Sequence, residues 1–218
     1  MRYSTVIHII KINIIIWFKK IFLNGKNIKP YKILINLTDL CNSRCTFCDI
    51  WTIKPKNEID LKNIKESLVG IENDVYWLSF SGGEVTLINY FYDLIDYLKK
   101  NCKNLKILAF TTNALAPERA LKFAKYCRES GFDTLITISL DGDKKIHDQI
   151  RGVKGNFEKC LLLMKKLNEN NIQSHYGITV SETNSDFIIN NFNLLPGPMK
   201  AVTFVHSEGI YNKVNDYN

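Results

Sequence analysis

The stretch CNSRCTFC at residues 41–48 places three cysteines, Cys41, Cys45 and Cys48, at the spacing C-x3-C-x2-C. Three thiols this close cannot all point into a core, and a disulfide between two would leave the third idle. They can converge on a metal centre, because thiolate is a soft ligand for zinc, Cu(I) and iron–sulfur clusters. A structural zinc has four protein ligands, and no fourth Cys or His lies nearby in sequence. A [4Fe–4S] cluster on three cysteines keeps one iron open, which fits this count.

Composition limits the classes of function to consider. A chain of 218 residues suits one domain, which buries about 70% of its unfolded surface. Six cysteines in a chain of this length do not make a disulfide framework, so we expect a reducing cytoplasm. The net charge of +7 is compatible with an acidic partner. However, the lysines are spread over several predicted helices, and no arginine-rich run favours nucleic acid.

Residues 1–30 form an N-terminal extension that is rich in isoleucine. Lysines interrupt the run Val6–Leu23, so it is marginal for a membrane span of about 20 apolar residues, and no small-residue cleavage site follows. Alternate isoleucines over residues 10–16 resemble a strand, but a longer stripe keeps helical spacing. This stripe comprises Ile7, Ile10, Ile14, Trp17 and Ile21. We predict an amphipathic helix that packs on the domain and ends near Asn24-Gly25. Weak contact of residues 6–23 with a membrane surface is the alternative.

From residue 31 onward, β-rich runs alternate with helical periods. The predicted strands are Lys32–Leu37, Val75–Phe80, Leu105–Thr111, Thr134–Leu140, Ser174–Val180 and Ala201–Val205. Apolar stripes of helices fall between them at Leu61–Ile71, Phe91–Leu98, Leu121–Cys127 and Phe157–Leu167, with a weaker helix at Ser185–Asn193. This alternation favours a parallel sheet with right-handed crossovers. Six repeats predict an α/β fold, a partial (β/α)6 barrel of the TIM type, preceded by the N-terminal helical extension.

Polar side chains gather where the predicted strands end, which is where barrels of this kind carry their chemistry. The cysteine loop begins within four residues of Leu37, the end of the first strand. The next three strands end in Ser79–Glu84, Thr111–Asn113 and Ser139–Gly142. In Gly82-Gly83-Glu84, two glycines allow close approach of a ligand and positive φ, and a carboxylate can bind a ligand ammonium. The alternative is an ordinary turn before a helix.

The pattern C-x3-C-x-aromatic-C, with Phe47 as the aromatic residue, resembles the cluster loop of the radical S-adenosylmethionine (SAM) enzymes. The resemblance covers roughly residues 31–206, so residues 31–218 are expected to form a radical SAM core domain. It implies a [4Fe–4S] cluster on Cys41, Cys45 and Cys48, whose fourth iron is chelated by SAM, with Phe47 near the adenine. Gly82-Gly83-Glu84 resembles the GGE motif, which in that family holds the amino group of SAM.

Further positions follow from the same resemblance. The segments His147–Gly152 and Gly155–Phe157 resemble the D-G…H-D-x-x-R-G…G-x-F stretch of the branch that contains peptide-modifying and sulfatase-maturing enzymes. Arg151 would then bind the SAM carboxylate, which suits a guanidinium fork, whereas His147 is expected to be structural. Ser139 and Asp141 are assigned to the ribose, although Asp141-Gly142 also reads as a turn.

Two departures from the family pattern concern SAM binding. Residues 112–114 read Thr-Asn-Ala where the family has Thr-Asn-Gly, so we expect no positive φ there, which weakens the assignment of Asn113 to SAM. No clear adenine motif follows the fifth strand, and we assign that contact to Thr179–Ser181. Beyond the sixth strand, His206, Ser207 and Glu208 are candidates for substrate contact. The other cysteines, Cys102, Cys127 and Cys160, fall on helical stripes and are expected in the core.

The expected function is reductive cleavage of SAM to a 5′-deoxyadenosyl radical, which abstracts hydrogen from a substrate, with a peptide as the candidate. The resemblance implies an electron donor such as flavodoxin or ferredoxin. RNA or a cofactor precursor is the alternative substrate. A zinc-binding interaction module and a non-catalytic remnant that binds SAM are alternatives of other classes. Related peptide-modifying enzymes continue into a cysteine-rich C-terminal domain, so the chain is expected to be either a minimal core or a truncated sequence.

Overall fold

The computed structural model describes residues 3–22, 29–53, 59–197 and 199–205. Its helices are α1 Tyr3–Phe22, α2 Leu61–Leu68, α3 Phe91–Asn101, α4 Pro117–Glu129, α5 Lys144–Arg151, α6 Asn156–Glu169 and α7 Ser185–Asn191. Its strands are β1 Lys32–Asn36, β2 Trp77–Ser81, β3 Ile107–Thr112, β4 Asp133–Ser139, β5 Gln173–Val180 and β6 Lys200–Phe204. All six predicted strands are present, with bounds within two residues of the prediction.

The strands form one parallel sheet in the order β1-β2-β3-β4-β5-β6. Register is regular; for example, β1 and β2 pair from Lys32 with Trp77 to Asn36 with Ser81. Since neighbours in sequence are neighbours in the sheet, every crossover adds one strand on the same side, and the sheet curls into a half-barrel. The predicted α/β partial barrel is therefore confirmed.

Helix α5 was not predicted, because the sequence offered only a short motif between β4 and the long stripe of α6. Its boundaries nevertheless have local causes. Asp143 caps the first turn by accepting a hydrogen bond from the Ile146 N–H at 2.9 Å. Gly152 ends the helix in the left-handed conformation, with φ of 64°. This helix proves central to the site described below.

The core lies between the sheet and its outer helices and contains a cluster of aromatic rings. Phe91 on α3 is fully buried and stacks on Phe123 of α4, with ring centroids 3.9 Å apart. Phe80 and Phe110 from the sheet meet the Phe91 ring edge-on. The prediction that Cys102, Cys127 and Cys160 belong to the core is confirmed, since all three are buried free thiols.

The predicted N-terminal helix is present, but the face that packs on the domain is not the predicted one. Ile12 is buried, and it lines a small cavity with Ile9 and Asn13 against Tyr31 and Trp77, at the amino ends of β1 and β2. The stripe that predicted the helix faces outward instead; Ile7, Ile10, Ile14, Trp17 and Ile21 are 37% to 60% exposed. An isoleucine-rich helix has two apolar faces, and spacing alone does not choose between them.

The helix ends at Phe22, and the predicted end at Asn24-Gly25 lies outside the described residues. Among the helices that the structure describes, none has the length and apolar character needed to cross a bilayer.

Phe91→Ala should lower the free energy of unfolding by about 3–5 kcal/mol, because it leaves a cavity at the centre of the aromatic cluster. Urea unfolding of the purified protein measures this. Ile189→Ala is the control, since Ile189 is 77% exposed on α7 and should change stability by no more than about 0.5 kcal/mol. Equal losses in the two variants would contradict a core centred on Phe91.

Candidate active site

A cavity of about 380 Å³ opens at the carboxyl ends of the strands. Its walls come from the loops after β1, β2 and β3, from the ends of β4, β5 and β6, and from α5. The predicted site residues that line it are Cys41, Cys45, Phe47, Cys48, Gly82, Gly83, Glu84, Asn113, Ser139 and Arg151. The fold therefore brings together residues from distant parts of the sequence. Asp141 is outside this lining, and so are Val180 and Ser181 of the predicted adenine segment.

The cysteine loop is held in place by the C-terminal end of α5. The backbone N–H groups of Arg44 and Thr46 donate to the carbonyls of Arg151 and Ile150, both at 2.9 Å. The Ser43 hydroxyl also donates to the Arg151 carbonyl, at 3.2 Å. The last carbonyls of a helix have no partner within it, so the loop supplies the donors that they lack.

The two glycines after β2 bring a second backbone against the cysteine segment. Gly83 N–H donates to the Thr38 carbonyl at 2.7 Å, and Glu84 N–H donates to the Leu40 carbonyl at 2.8 Å. A Cβ atom at Gly83 would lie 2.1 Å from the Leu40 oxygen, and one at Gly82 would lie 2.3 Å from the Thr38 oxygen. Gly82 has the expected positive φ, 125°. The close approach is thus to the chain that enters the cysteine loop, which the sequence could not indicate.

Glu84 is 1% exposed, and its carboxylate is held by four donors. Oε1 accepts from the Thr86 N–H at 3.1 Å, the Thr86 hydroxyl at 2.7 Å and the Thr112 hydroxyl at 2.8 Å. Among the described residues, Oε2 accepts only from the Asn113 N–H, at 2.7 Å. Each carboxylate oxygen has about two acceptor positions. Oε2 therefore keeps one position for a ligand donor, whereas Oε1 is saturated.

The expectation for residue 114 was wrong, because Ala114 adopts a positive φ of 60°. The loop after β3 therefore keeps the backbone shape that glycine would allow, although an alanine there costs about 1–2 kcal/mol. The Asn113 side chain is used within the protein: Nδ2 donates to Asn42 Oδ1 at 2.8 Å, and Oδ1 accepts from the Leu115 N–H at 2.9 Å. Asn113 thus links the β3 loop to the cysteine loop.

Asp141 is fully buried and lies behind the cavity wall, which argues against the predicted contact with a ribose. Its Oδ2 accepts from Arg151 Nε at 2.6 Å, and its Oδ1 accepts from the Thr179 N–H at 2.9 Å. A buried guanidinium requires a counter-charge, and this need takes up the carboxylate. The alternative prediction, that Asp141-Gly142 is simply a turn, does not include this ion pair either, because Arg151 lies ten residues further along the sequence.

Arg151 reaches from this ion pair toward the cysteines. Its Nη1 lies 3.6 Å from the Cys45 sulfur, and its guanidinium carbon lies 5.8 Å from the Phe47 ring centroid. Burial opposes the charged form, but the Asp141 carboxylate and the Cys45 thiol outweigh it and hold the pKa of Arg151 above its ordinary value. A fixed positive charge therefore stands beside one of the three sulfurs.

His147 lies in α5, and its two ring nitrogens contact protein groups, in agreement with the expected structural role. Its Nδ1 accepts from the Asp141 N–H at 3.1 Å, so the proton of the neutral ring is on Nε2, 3.2 Å from Asn156 Oδ1. Asn156 Nδ2 then donates to the Asn113 carbonyl at 2.8 Å. Burial, with the nearby charge of Arg151, lowers the pKa of His147 to about 4.

Sequence reasoning missed several residues of the site. Asn184 is buried and donates to the carbonyls of Asp141 and Thr179 at 2.7 and 2.9 Å, which joins the ends of β4 and β5. No motif marked it. Thr203, Phe204 and Val205 line the cavity, and the rule that chemistry gathers at strand ends would have found them. Thr179, which was predicted as part of the adenine segment, lines the cavity. The predicted substrate contacts His206, Ser207 and Glu208 lie outside the described residues.

The chemistry of the three thiols suits a metal centre. Burial raises the pKa of Cys41 to about 11 and also raises the pKa of Cys48, so a bound metal is needed to hold both as thiolates at neutral pH. All three cysteines line one cavity, and an iron–sulfur cluster is held by cysteine thiolates, so these residues fit such a cluster.

Comparison with known proteins agrees with this chemistry. Residues 35–188 match the family model of the Radical SAM superfamily. The sporulation killing factor maturation protein SkfB of Bacillus subtilis is 31% identical over 72% of this chain and 37% of its own length. The cysteine-type anaerobic sulfatase-maturating enzyme of Clostridium novyi is 30% identical over 68% of this chain and 43% of its own. The GTP 3′,8-cyclase of Photorhabdus laumondii is 30% identical, over 65% and 48%. The chain thus spans less than half the length of these relatives.

Solved structures show the same fold. Native anSMEcpe with bound AdoMet superimposes with a TM-score of 0.66 over 84% of this chain and 56% of that one, at 22% identity. Native anSMEcpe with bound AdoMet and Kp18Cys peptide gives 0.63 over 76% and 48%, at 23% identity. At these identities the likeness concerns the fold.

Gly83→Ala should displace the chain that enters the cysteine loop, since its Cβ would meet the Leu40 oxygen. We expect a loss of about 1–3 kcal/mol in unfolding free energy and a strong decrease in iron bound after anaerobic reconstitution. Gly70→Ala is the control, because a Cβ there meets nothing within 4 Å although φ is 83°. It should bind iron normally. Undiminished iron in Gly83→Ala would show that this contact does not set the loop.

The buried neutral His147 should make the protein less stable as the pH falls from 6.5 to 4. In this window the unfolded chain binds a proton at His147 that the folded chain excludes, which removes roughly 3 kcal/mol in total. Urea unfolding of reduced apoprotein across the window measures the slope. His147→Gln should flatten it, whereas His175→Gln, at a half-buried site on β5, should leave most of it. Parallel slopes for wild type and His147→Gln would refute this account.

Proposed function

The chain belongs to the radical SAM superfamily, and from that membership we propose that Cys41, Cys45 and Cys48 hold the [4Fe–4S] cluster of an enzyme that cleaves SAM reductively. Enzymes of this family use that cluster and SAM as cofactors. The observation that carries the proposal is the meeting of three thiols with the carboxylate of Glu84 and the guanidinium of Arg151 in one cavity. Three cysteines leave one iron for SAM, whose amino and carboxylate groups can chelate it.

The proposed contacts of SAM follow from the hydrogen-bonding positions in the cavity wall that protein groups leave unused. The amino group of its methionine part, which keeps N–H donors when its lone pair binds the iron, is assigned to Glu84 Oε2, which keeps one acceptor position. Its carboxylate is assigned to the N–H groups of Arg151 that the Asp141 pair does not use. Ser139 is assigned to the ribose, and Phe47 and Thr179 to the adenine. Asn113 and Asp141, which are bound to other protein groups, are assigned the positioning of these contacts.

When bound, the cluster would supply one electron to the sulfonium of SAM, whose S–C5′ bond would break to give methionine and the 5′-deoxyadenosyl radical that takes hydrogen from the substrate. The work of this chain is to bind, orient and shield. Phe47, Ile50 and Val205 give the cavity apolar walls that limit the access of water. Glu84 and Arg151 fix the methionine end, because each is itself held by several protein groups. No acid–base pair is required for this reaction.

We propose a peptide as the substrate. The support is the likeness of residues 141–157 to the peptide-modifying branch, together with the similarity to SkfB and to the sulfatase-maturating enzyme. The similarity to GTP 3′,8-cyclase supports a cofactor precursor as the second candidate. The electron donor is proposed to be a flavodoxin or ferredoxin. The free cysteines among the described residues support the cytoplasm as the compartment, because the thiols must stay reduced to bind iron.

Anaerobic reconstitution with iron and sulfide, followed by dithionite and SAM, tests the reaction class. Wild type should become brown and release 5′-deoxyadenosine, whereas Cys45→Ala should lose activity by at least about 10³-fold, because an iron loses its ligand. Cys102→Ala is the matched control, since that thiol is buried beyond the end of α3 and should retain cluster and activity.

The opposing outcomes separate the alternatives. A colourless protein that retains stoichiometric zinc would favour the zinc-binding module. A brown protein that binds SAM but yields no 5′-deoxyadenosine would favour the non-catalytic remnant. Equal product from wild type and Cys45→Ala would overturn the assignment of the cluster ligands.

A further inference from the structure

Helix α1 has apolar side chains on two opposite faces, and the domain covers only one of them. Ile12 is buried against the amino ends of β1 to β3, and Ile9 and Ile16 beside it are half-buried. The other face carries a continuous stripe at helical spacing. Its large apolar side chains, with those that flank it, are Ile7, Ile10, Ile14, Ile15, Trp17, Phe18, Ile21 and Phe22, exposed by 37% to 63%. Single exposed apolar residues are ordinary, but a patch of this size marks an interaction surface.

The charge on α1 indicates what covers this outer face. The helix contains Lys11, Lys19 and Lys20 but no Asp or Glu. Apolar and aromatic side chains combined with lysines are typical of helices that lie in the interface of an anionic bilayer, with Trp and Phe at the headgroup level. Lys11 and Lys20 are exposed, and each lysine near such a surface contributes attraction. A second copy of α1 would instead bring like charges together.

We propose that the outer face of α1 binds the surface of an anionic lipid bilayer. The helix lies along the surface and does not span it, in keeping with its lysines and with the absence of a candidate spanning helix among the described residues. This proposal is independent of the proposed radical reaction, because it rests on a surface remote from the three cysteines.

The position of α1 gives the binding a definite orientation. Its inner face lines a small cavity with Tyr31, Trp77 and Ile107 at the amino ends of the strands. The cavity with the cysteines opens at the carboxyl ends. A bilayer on the outer face of α1 therefore lies at the opposite end of the half-barrel from the active site, whose mouth stays open to soluble partners.

Co-sedimentation of the whole chain with vesicles tests the proposal. Wild type should bind vesicles of phosphatidylcholine mixed with phosphatidylglycerol more tightly than vesicles of phosphatidylcholine alone. Ile14→Glu with Trp17→Glu should weaken binding by at least about tenfold. Lys11→Gln with Lys20→Gln should weaken it by about fivefold per lysine, with the loss reduced in high salt. Ile189→Glu, the same change at a 77% exposed residue of α7, is the control and should bind like wild type.

Tryptophan fluorescence tests whether the contact with the vesicles is made by α1. Vesicles should shift the tryptophan emission to the blue, and Trp17→Phe should lose most of this shift while it still sediments, because Phe keeps the apolar contact. Equal urea midpoints for all variants establish that they are folded, which is expected for exposed positions. Absence of binding to anionic vesicles, or full binding by the double glutamate variant, overturns the proposal. A dimer in solution that the glutamates abolish, without vesicle binding, overturns it in favour of an interface between copies.

Discussion

The contact between the C-terminal end of α5 and the cysteine loop determines where the three sulfurs lie. A loop that must present three thiols cannot use them for its own structure, so its backbone needs support from elsewhere. The carbonyls of Ile150 and Arg151 lie at the end of α5, where a helix offers them no donor. They support the loop by accepting two hydrogen bonds of 2.9 Å from it. Gly152 makes the approach possible, since a Cβ there would lie 2.8 Å from the Arg44 carbonyl. The geometry of the metal centre thus depends on a helix that lies about a hundred residues further along the chain.

The same logic extends to the acidic side chains of the site. Glu84 and Asp141 are both buried, and each is bound by donors from other loops. An ionised carboxylate is tolerated in such a place only when hydrogen bonds or a counter-charge compensate for lost water. These bonds fix the side chains before any ligand arrives, which reduces the ordering that binding requires. The difference between them is access: Glu84 retains one acceptor position facing the cavity, and Asp141 does not line it.

The sequence predicts periodic and local features well and the partners of polar side chains poorly. The six strands could be predicted from β-rich runs that alternate with helical periods, and the cysteine loop from the spacing of its cysteines. Both signals lie within a few residues of one another in the sequence. The partner of Asp141 depends on how α5 folds back across the rim. The positive φ of Ala114 could not be predicted, since surrounding contacts impose a conformation that alanine disfavours. The packed face of α1 was predicted incorrectly because both faces are apolar, and the choice depends on the shape of the barrel floor.

Arg151 combines these constraints in one residue. Its carbonyl supports the cysteine loop, its Nε pairs with Asp141, and its Nη1 lies 3.6 Å from the Cys45 sulfur. Stability alone does not account for the pair, since apolar residues often replace a buried ion pair at no cost, whereas loss of one partner costs about 3–5 kcal/mol. The positive charge has a clear use beside thiolates, because it offsets the negative charge that three of them bring into a buried site. Asp141 is then needed to balance the buried charge of Arg151 and to orient its guanidinium, which explains why a buried carboxylate stands behind the cavity and not within it.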